Sequence, residues 1–376
     1  MKIVMFYHSM VSDWNHGNAH FLRGIASELL SEGHQVEVYE PSDGWSRTNL
    51  LDNVGPDAIL RFHDAYPELE SHVYDPTLYE PTHAVSDADL VIVHEWNTPE
   101  LVARLGRLKE RHGFVLLFHD THHRMVTDPE SMARYDLGHY DGVLAFGEVL
   151  RELYLSRGLA RRAWTWHEAA DIRRFHPMPD IAPDGDLVWI GNWGDGERAE
   201  ELHEFLIEPV RRLGLRAVVY GVRYPQTARV ALATAGIEYK GWIPNFQVPR
   251  IFARFRATVH VPRRPYAEAL PGIPTIRPFE ALACGIPLVC APWNDSENLF
   301  TPGKDFLVAE DGAEMEQQLS QLMGDVSLRA NLSRDGLATV RDRHTCARRA
   351  AELLGIYDEV ASPIATTSRR LTPILT

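Results

Sequence analysis

A chain of 376 residues, 45% hydrophobic and 24% charged, has a globular composition and is too long for one ordinary domain; it suits two of about 150–190 residues each. Its formal charge of −14 argues against a nucleic-acid or anionic-membrane surface as the main partner, while leaving room for a local basic cleft. The three cysteines, Cys284, Cys290 and Cys346, fit small buried hydrophobes in a reducing cytoplasm rather than a disulfide framework.

In chain order, Met1-Lys2-Ile3-Val4-Met5-Phe6 reads as a strand running straight into polar residues, not as a signal peptide. No apolar run reaches the length needed to span a bilayer, so no transmembrane segment is expected. From Ala19 to Leu30, apolar residues at 21, 22, 25, 26, 29 and 30 form a helical stripe. Gly33 follows, and Gln35-Val36-Glu37-Val38-Tyr39 alternates as a second strand. Further strands are predicted near 57–61, 89–94, 114–119, 142–146 and 162–166. A second series is predicted near 186–190, 216–220, 236–239, 257–261, 287–291 and 306–308, with a final helix over about 345–359. Short apolar runs alternating with amphipathic segments predict an α/β chain built on parallel sheets with crossover helices. Residues 168–179 break the rhythm, and with Pro183-Asp184-Gly185 they read as an exposed connector. The predicted division is a first domain over 1–170, a linker over 171–183 and a second domain over 184–355. Residues 356–376 hold the end of the last helix and a Thr-, Ser- and Pro-rich tail, expected to be frayed or loosely docked.

The sharpest pattern is Arg277-Pro278-Phe279-Glu280-Ala281-Leu282-Ala283-Cys284-Gly285-Ile286-Pro287-Leu288-Val289-Cys290-Ala291-Pro292. It reads as a short helix ended by Gly285, with Pro287 blocking continuation and an apolar strand after it. In so apolar a segment Glu280 has to be paired, solvated or used, and Arg277 lies one turn away on the same face. Gly191-Asn192-Trp193-Gly194-Asp195-Gly196 follows a strand and precedes a helix near Glu197, which turns N–H groups toward an anion. It lacks G-x-G-x-x-G spacing, so no dinucleotide fingerprint is present. Arg198, Arg223 and Arg277 are the candidate cations. At Lys240-Gly241-Trp242-Ile243-Pro244 a strand ends and glycine turns the chain, freeing backbone groups beside an aromatic ring. Residues 262–278 carry Pro262, Pro265, Pro271, Pro274 and Pro278, a stiffened loop at a cleft edge.

In the first half, Phe118-His119-Asp120-Thr121-His122-His123 follows an apolar strand, at the carboxyl end where open parallel sheets gather ligands. The histidine spacing matches no strong zinc pattern. His8 ends the first strand, Asp13-Trp14-Asn15-His16-Gly17-Asn18 is a polar loop, and His94-Glu95 ends another strand. Three polar strand ends on one face favour a binding site.

The 277–292 stretch resembles the nucleotide-sugar-binding signature of GT-B glycosyltransferases, especially family 4-like and CgeB-like members. The small-residue–Asp–x–x–x–Phe–x–Pro run over 169–177 is similar to their inter-domain crossing. The resemblance implies a GT-B fold: two Rossmann-like domains facing across a cleft, with the last helix crossing back onto the first. It implies sugar transfer from a nucleoside-diphosphate sugar of the UDP-sugar kind to an acceptor, metal-independent, with retention. The nucleotide sugar would be a co-substrate, and no cofactor is implied. By the same resemblance Glu280 holds the ribose, Gly191, Asn192 and Trp193 approach the diphosphate, and Arg277, Arg198 and Arg223 neutralise it. Trp242 and Ile243 would read the base, Gly17 and Asn18 would meet phosphate or acceptor, and His119 with Asp120 would stand beside the transferred sugar. The first Glu of the family's E-x7-E falls on Gly272, leaving Gly272, Ile273 and Thr275 to cover its contacts. His8, His94 and Glu95 are the acceptor-side candidates. The base, sugar, acceptor and oligomeric state are left open. A GT-B nucleotide-sugar epimerase and a non-catalytic nucleotide-sugar-binding protein are the alternatives.

Overall fold

The computed structural model describes residues 1–15 and 17–362. The predicted tail from 363 onward, and His16 of the polar loop, lie outside them. Two parallel sheets organise the chain. The first runs β1 (Lys2–Phe6), β2 (Gln35–Pro41), β3 (Ser71–Tyr74), β4 (Leu90–His94), β5 (Val115–Asp120), β6 (Gly142–Ala145) and β7 (Ala163–Thr165), in spatial order β3-β2-β1-β4-β5-β6-β7. The second holds β8 (Gly185–Ile190), β9 (Ala217–Tyr220), β10 (Glu238–Gly241), β11 (Phe255–His260), β12 (Leu288–Cys290) and β13 (Leu307–Val308), in order β10-β9-β8-β11-β12-β13. Both orders reverse beside the first strand of their domain, which opens a crevice at the carboxyl ends there. The central strands are buried along their whole length, as in Leu90–His94 and Val115–Asp120, because helices cover both faces.

Two sequence expectations fail here. Residues 57–61 are not a strand but part of the Asp57–Ala65 helix. Pro56 and Asp57 start it, and Ala58 and Phe62, one turn apart, are its buried face while Leu60 is exposed. The strand Ser71–Tyr74 was not foreseen, because it is an edge strand with His72 and Val73 exposed and shows no apolar run.

The connector is also more buried than expected. Glu168, Ala169, Ala170, Asp171 and Phe175 are all buried, because the Asn18–Ser31 and Cys346–Ala361 helices close over them. His20 Nε2 accepts from the Asp171 N–H at 2.8 Å, and Ala170 bridges Thr345 in parallel. The last helix packs on the first domain: a Cβ on Gly24 would lie 2.4 Å from Cys346 Sγ. Trp166 Nε1 donates to Arg349 O at 2.9 Å and Trp164 Nε1 to Glu359 Oε2 at 3.1 Å. Among the described residues no helix is long and apolar enough to cross a membrane.

Candidate functional site

A cleft of about 760 Å³ separates the two sets of strand ends and draws its walls from both domains. Residue packing across it is close. A Cβ on Gly17 would lie 2.4 Å from Ile276 Cγ2, so the first-domain loop reaches the second only because that residue lacks a side chain. Asn192 Nδ2 donates to Asn15 Oδ1 at 2.7 Å, and Arg223 stacks over Trp45 at 5.3 Å.

On the second domain, four guanidiniums line the cleft: Arg223, and Arg198 with the nearby Arg263 and Arg277. Arg198 donates to Val261 O at 3.0 Å and to Asn192 O and Oδ1 at 2.8 Å, leaving its buried Nε unpaired among the described residues. Burial first, and then the charges of Arg263 and Arg277, lower Arg198 to about 9. Arg263 donates to Asn192 Oδ1 at 3.1 Å and to Glu197 at 2.8 Å. The proximity of these guanidiniums favours a bound anion, which would relieve their mutual repulsion. Arg277 pairs with Glu280. Gly191 lines the cleft beside them, as do Trp242 and Ile243 from the turn after β10, with the buried Trp242 Nε1 unpaired among the described residues.

Of the sequence candidates, Gly17, Asn18, Gly191, Asn192, Arg198, Arg223, Trp242, Ile243, Thr275, Arg277 and His8 line the cleft. The others do not. Glu280 is fully buried behind Arg277; its Oε1 accepts from Asn245 Nδ2 at 2.7 Å and faces His20 Nδ1 at 3.3 Å. Its influence on the cleft passes through Asn245 and Arg277. Trp193 packs into the second domain's core against Tyr224 and His203. Gly272 has φ +85, and Glu297 fills the space where a side chain there would go. Ile273 is buried in the first domain's apolar cluster. Arg223 lines the cleft paired with Asp195 at 2.7 Å, as Arg263 is paired with Glu197 and Arg277 with Glu280.

The His119–Asp120 pair is the main correction. Both residues are still within β5, where alternate side chains enter opposite layers, and the chain leaves the sheet only at Thr121. His119 is packed among Tyr7, Phe21 and Trp166, with Nδ1 at 2.6 Å from Tyr7 Oη, and burial lowers it to about 3. Asp120 enters the other layer and accepts from Tyr154 Oη at 2.8 Å and the His122 N–H at 3.0 Å. Glu95 is buried in a two-toothed pair with Arg124 at 3.0 and 2.9 Å, and burial and Asp120 raise it well above the usual carboxylate range. His94 is buried against Thr121 Oγ1 at 2.9 Å. Thr121, His122 and His123 take the cleft positions that His119 and Asp120 were expected to hold.

Several cleft residues are not among the sequence candidates. Arg263 belongs to the proline-rich loop that reads as a cleft edge, though not to the candidate cations, and Asn245 follows a proline as an ordinary turn residue. Trp45, Tyr74, Tyr79 and Trp96 form an aromatic wall on the first domain, contributed by four separate segments. Glu168, inside the crossing, lines the cleft; burial, then Glu280, pushes its carboxyl up to about 8. Among the described residues no group of three or more His, Cys, Asp or Glu is gathered to hold a metal ion.

A family model described as glycosyl transferase-like matches residues 198–355. No curated protein matches the chain. Solved structures similar to it over nearly its whole length include sucrose-phosphate synthase from Thermosynechococcus elongatus, at 14% identity and TM-score 0.65, covering 96% of this chain and 99% of that one. Anabaena HepE, solved with UDP and glucose, superposes at TM-score 0.67 with 14% identity over 95% of this chain and 99% of its own. An alpha-glucosyltransferase solved with UDP and a 13-mer DNA gives TM-score 0.64 at 13% identity, over 95% and 99% of the two chains. The two facing Rossmann-like domains and the returning last helix are the GT-B architecture, and the second domain carries the glycosyl transferase-like family match.

Proposed function

We propose that the protein moves a sugar from a UDP-sugar to an acceptor held on its first domain, without a metal ion and with retention at the anomeric carbon. The observation that carries this reading is the convergence of Arg198, Arg263 and Arg277 on one cleft of a chain whose formal charge is −14. Positive charge concentrated on an acidic protein suits a compact anion, and planar guanidiniums suit paired phosphate oxygens. All three arginines fall within the matched family segment, and UDP is bound in the HepE and alpha-glucosyltransferase structures, which supports UDP as the donor's leaving group.

The chemistry this arrangement favours is leaving-group stabilisation. As the bond from the anomeric carbon to the phosphate breaks, charge develops on the phosphate oxygen, and fixed guanidiniums stabilise it without reorganising. On the retaining route that oxygen takes the acceptor's hydroxyl proton, so positioning of acceptor against donor supplies much of the remaining rate. Trp242 and Ile243 would meet the base, and Asn245 with Arg277 the ribose. The wall of Trp45, Tyr74, Tyr79 and Trp96 would take the flat face of the acceptor.

Calorimetric titration with UDP, GDP, ADP, CDP and TDP tests the donor half. UDP should bind, and Arg263→Ala and Arg277→Ala should each weaken it about 10- to 100-fold, as loss of a charge-assisted contact implies. Binding of none of the five sinks the reading. Acceptor-dependent release of UDP from UDP-glucose then separates a transferase from a binding protein.

A further inference from the structure

Glu168 is 5% exposed and lines the cleft, yet among the described residues its carboxyl has neither a hydrogen-bond partner nor a counter-charge. The other buried carboxyl groups nearby are all held. Glu280 has Asn245 and Arg277, Glu95 has Arg124, Asp120 has Tyr154, and Glu297 accepts from the Glu148 N–H at 2.8 Å beside His167 at 2.7 Å. A buried carboxyl without a partner is costly, and here the nearest charge, on Glu280, has the same sign. A group kept in that condition on a cleft wall is completed by what enters the cleft.

Position says what that is. Glu168 shares the cleft wall with Thr275, and both pack close to Phe146 and Ile273. Thr275 has φ +59, in the left-handed region unusual for a β-branched residue, and its hydroxyl makes no capping bond to the Ile276–Ala283 helix that follows. Arg277 lies two residues further on, inside the first turn of that helix. Two open polar groups therefore share the cleft wall with the arginine cluster, Thr275 two residues from Arg277.

We propose that Glu168 hydrogen-bonds a hydroxyl of the transferred sugar and thereby helps select the donor. The proposal rests on the glycosyl-transfer reading above. A neutral carboxyl gives the sugar one O–H donor and one C=O acceptor, matching a pair of adjacent hydroxyls, and adds no negative charge beside the diphosphate. Its raised pKa keeps that neutral form dominant up to about 8. The titratable groups facing it are Glu280 on the Ile276–Ala283 helix, Tyr266 on the Arg264–Ala269 helix and, nearby, His167 with Glu297.

The test compares the binding of UDP with that of UDP-glucose, UDP-galactose and UDP-N-acetylglucosamine to the full chain, reading the tightest UDP-sugar. Glu168→Ala should leave UDP affinity within about twofold and weaken the UDP-sugar at least about tenfold, the scale of one lost buried hydrogen bond. Glu168→Gln keeps a donor and an acceptor in the same shape. It should retain most of the affinity and flatten the decline that the wild type shows as pH rises from 7 to 9. Equal losses for UDP and UDP-sugar in Glu168→Ala would mark a merely structural residue and overturn the proposal. So would an unaffected UDP-sugar, or a wild type that prefers no UDP-sugar over UDP. A wild type that binds no UDP at all overturns the transferase reading itself, and the proposal with it.

Discussion

Asp13 Oδ2, on the first domain, accepts from the Asn245 N–H of the second at 3.0 Å and from Arg23 Nη1 at 2.8 Å. Asn245 in turn donates through Nδ2 to Glu280, so one carboxylate oxygen links a buried arginine to the buried glutamate across the domain boundary. Asp13→Ala removes the counter-charge of a guanidinium that is 1% exposed. The expected cost is about 3 kcal/mol of stability, read as a lower urea midpoint, with weaker UDP binding as Asn245 loosens. Asp13→Asn keeps an acceptor and should lose less of both. Equal stability of Asp13→Ala and wild type would show that Arg23 is satisfied by the Met10 and Val11 carbonyls alone.

His119→Ala should behave as a core mutation. It empties a site between Phe21 and Trp166 and orphans the Tyr7 hydroxyl, for about 2–4 kcal/mol of destabilisation. At temperatures where the variant stays folded, UDP-glucose turnover per folded molecule should remain within about threefold of wild type, because the imidazole does not reach the cleft. A variant of normal stability with turnover abolished would restore His119 to the chemistry.

Gly17→Ala places a methyl against Ile276 Cγ2, where the gap is 2.4 Å. Closing the domains on that methyl should cost about 1–3 kcal/mol, seen mainly as a loss of UDP affinity. Ile276→Ala removes the opposing carbon, so the double variant should bind UDP better than Gly17→Ala alone. Additive losses in the pair would show that the two residues do not meet in the bound state.

Stability should respond to pH from two directions. His119, His260 and His344 are each lowered by burial to about 3, so the unfolded chain takes up their protons first as pH falls from about 6.5. Their contribution is full above that pH and is lost progressively toward 3. Glu168 works in the opposite sense: its folded value of about 8 lies above the unfolded one, so stability falls as pH rises from about 4.5 through 8. Glu168→Gln should therefore gain melting temperature relative to wild type at pH 8.5 and much less at pH 5. An identical difference at both values would remove Glu168 from the alkaline slope.

The sheets were legible where strands are covered on both faces, since Leu90–His94 and Val115–Asp120 can only read as apolar runs. The edge strand Ser71–Tyr74, half exposed, had no such run, and the Asp57–Ala65 helix was mistaken for a strand from a three-residue apolar patch. In the site, glycines and arginines could be found from loop position. Whether a residue at a strand end faces ligand or core turns on where the sheet stops: β5 runs on through Asp120, so the cleft imidazoles are His122 and His123, three and four positions beyond His119. Asn245 and Glu168 reach the cleft through the packing of distant segments, which no local pattern records.

The backbone passes between the domains at Ala170 and again at Thr345, and the two passages are bonded side by side as a parallel bridge. Paired strips of chain lying together behave like the leaves of a door: they allow swinging about their common line and resist sliding. Turning about that line would carry Gly17 away from Ile276 and Asp13 away from Asn245 in a single movement.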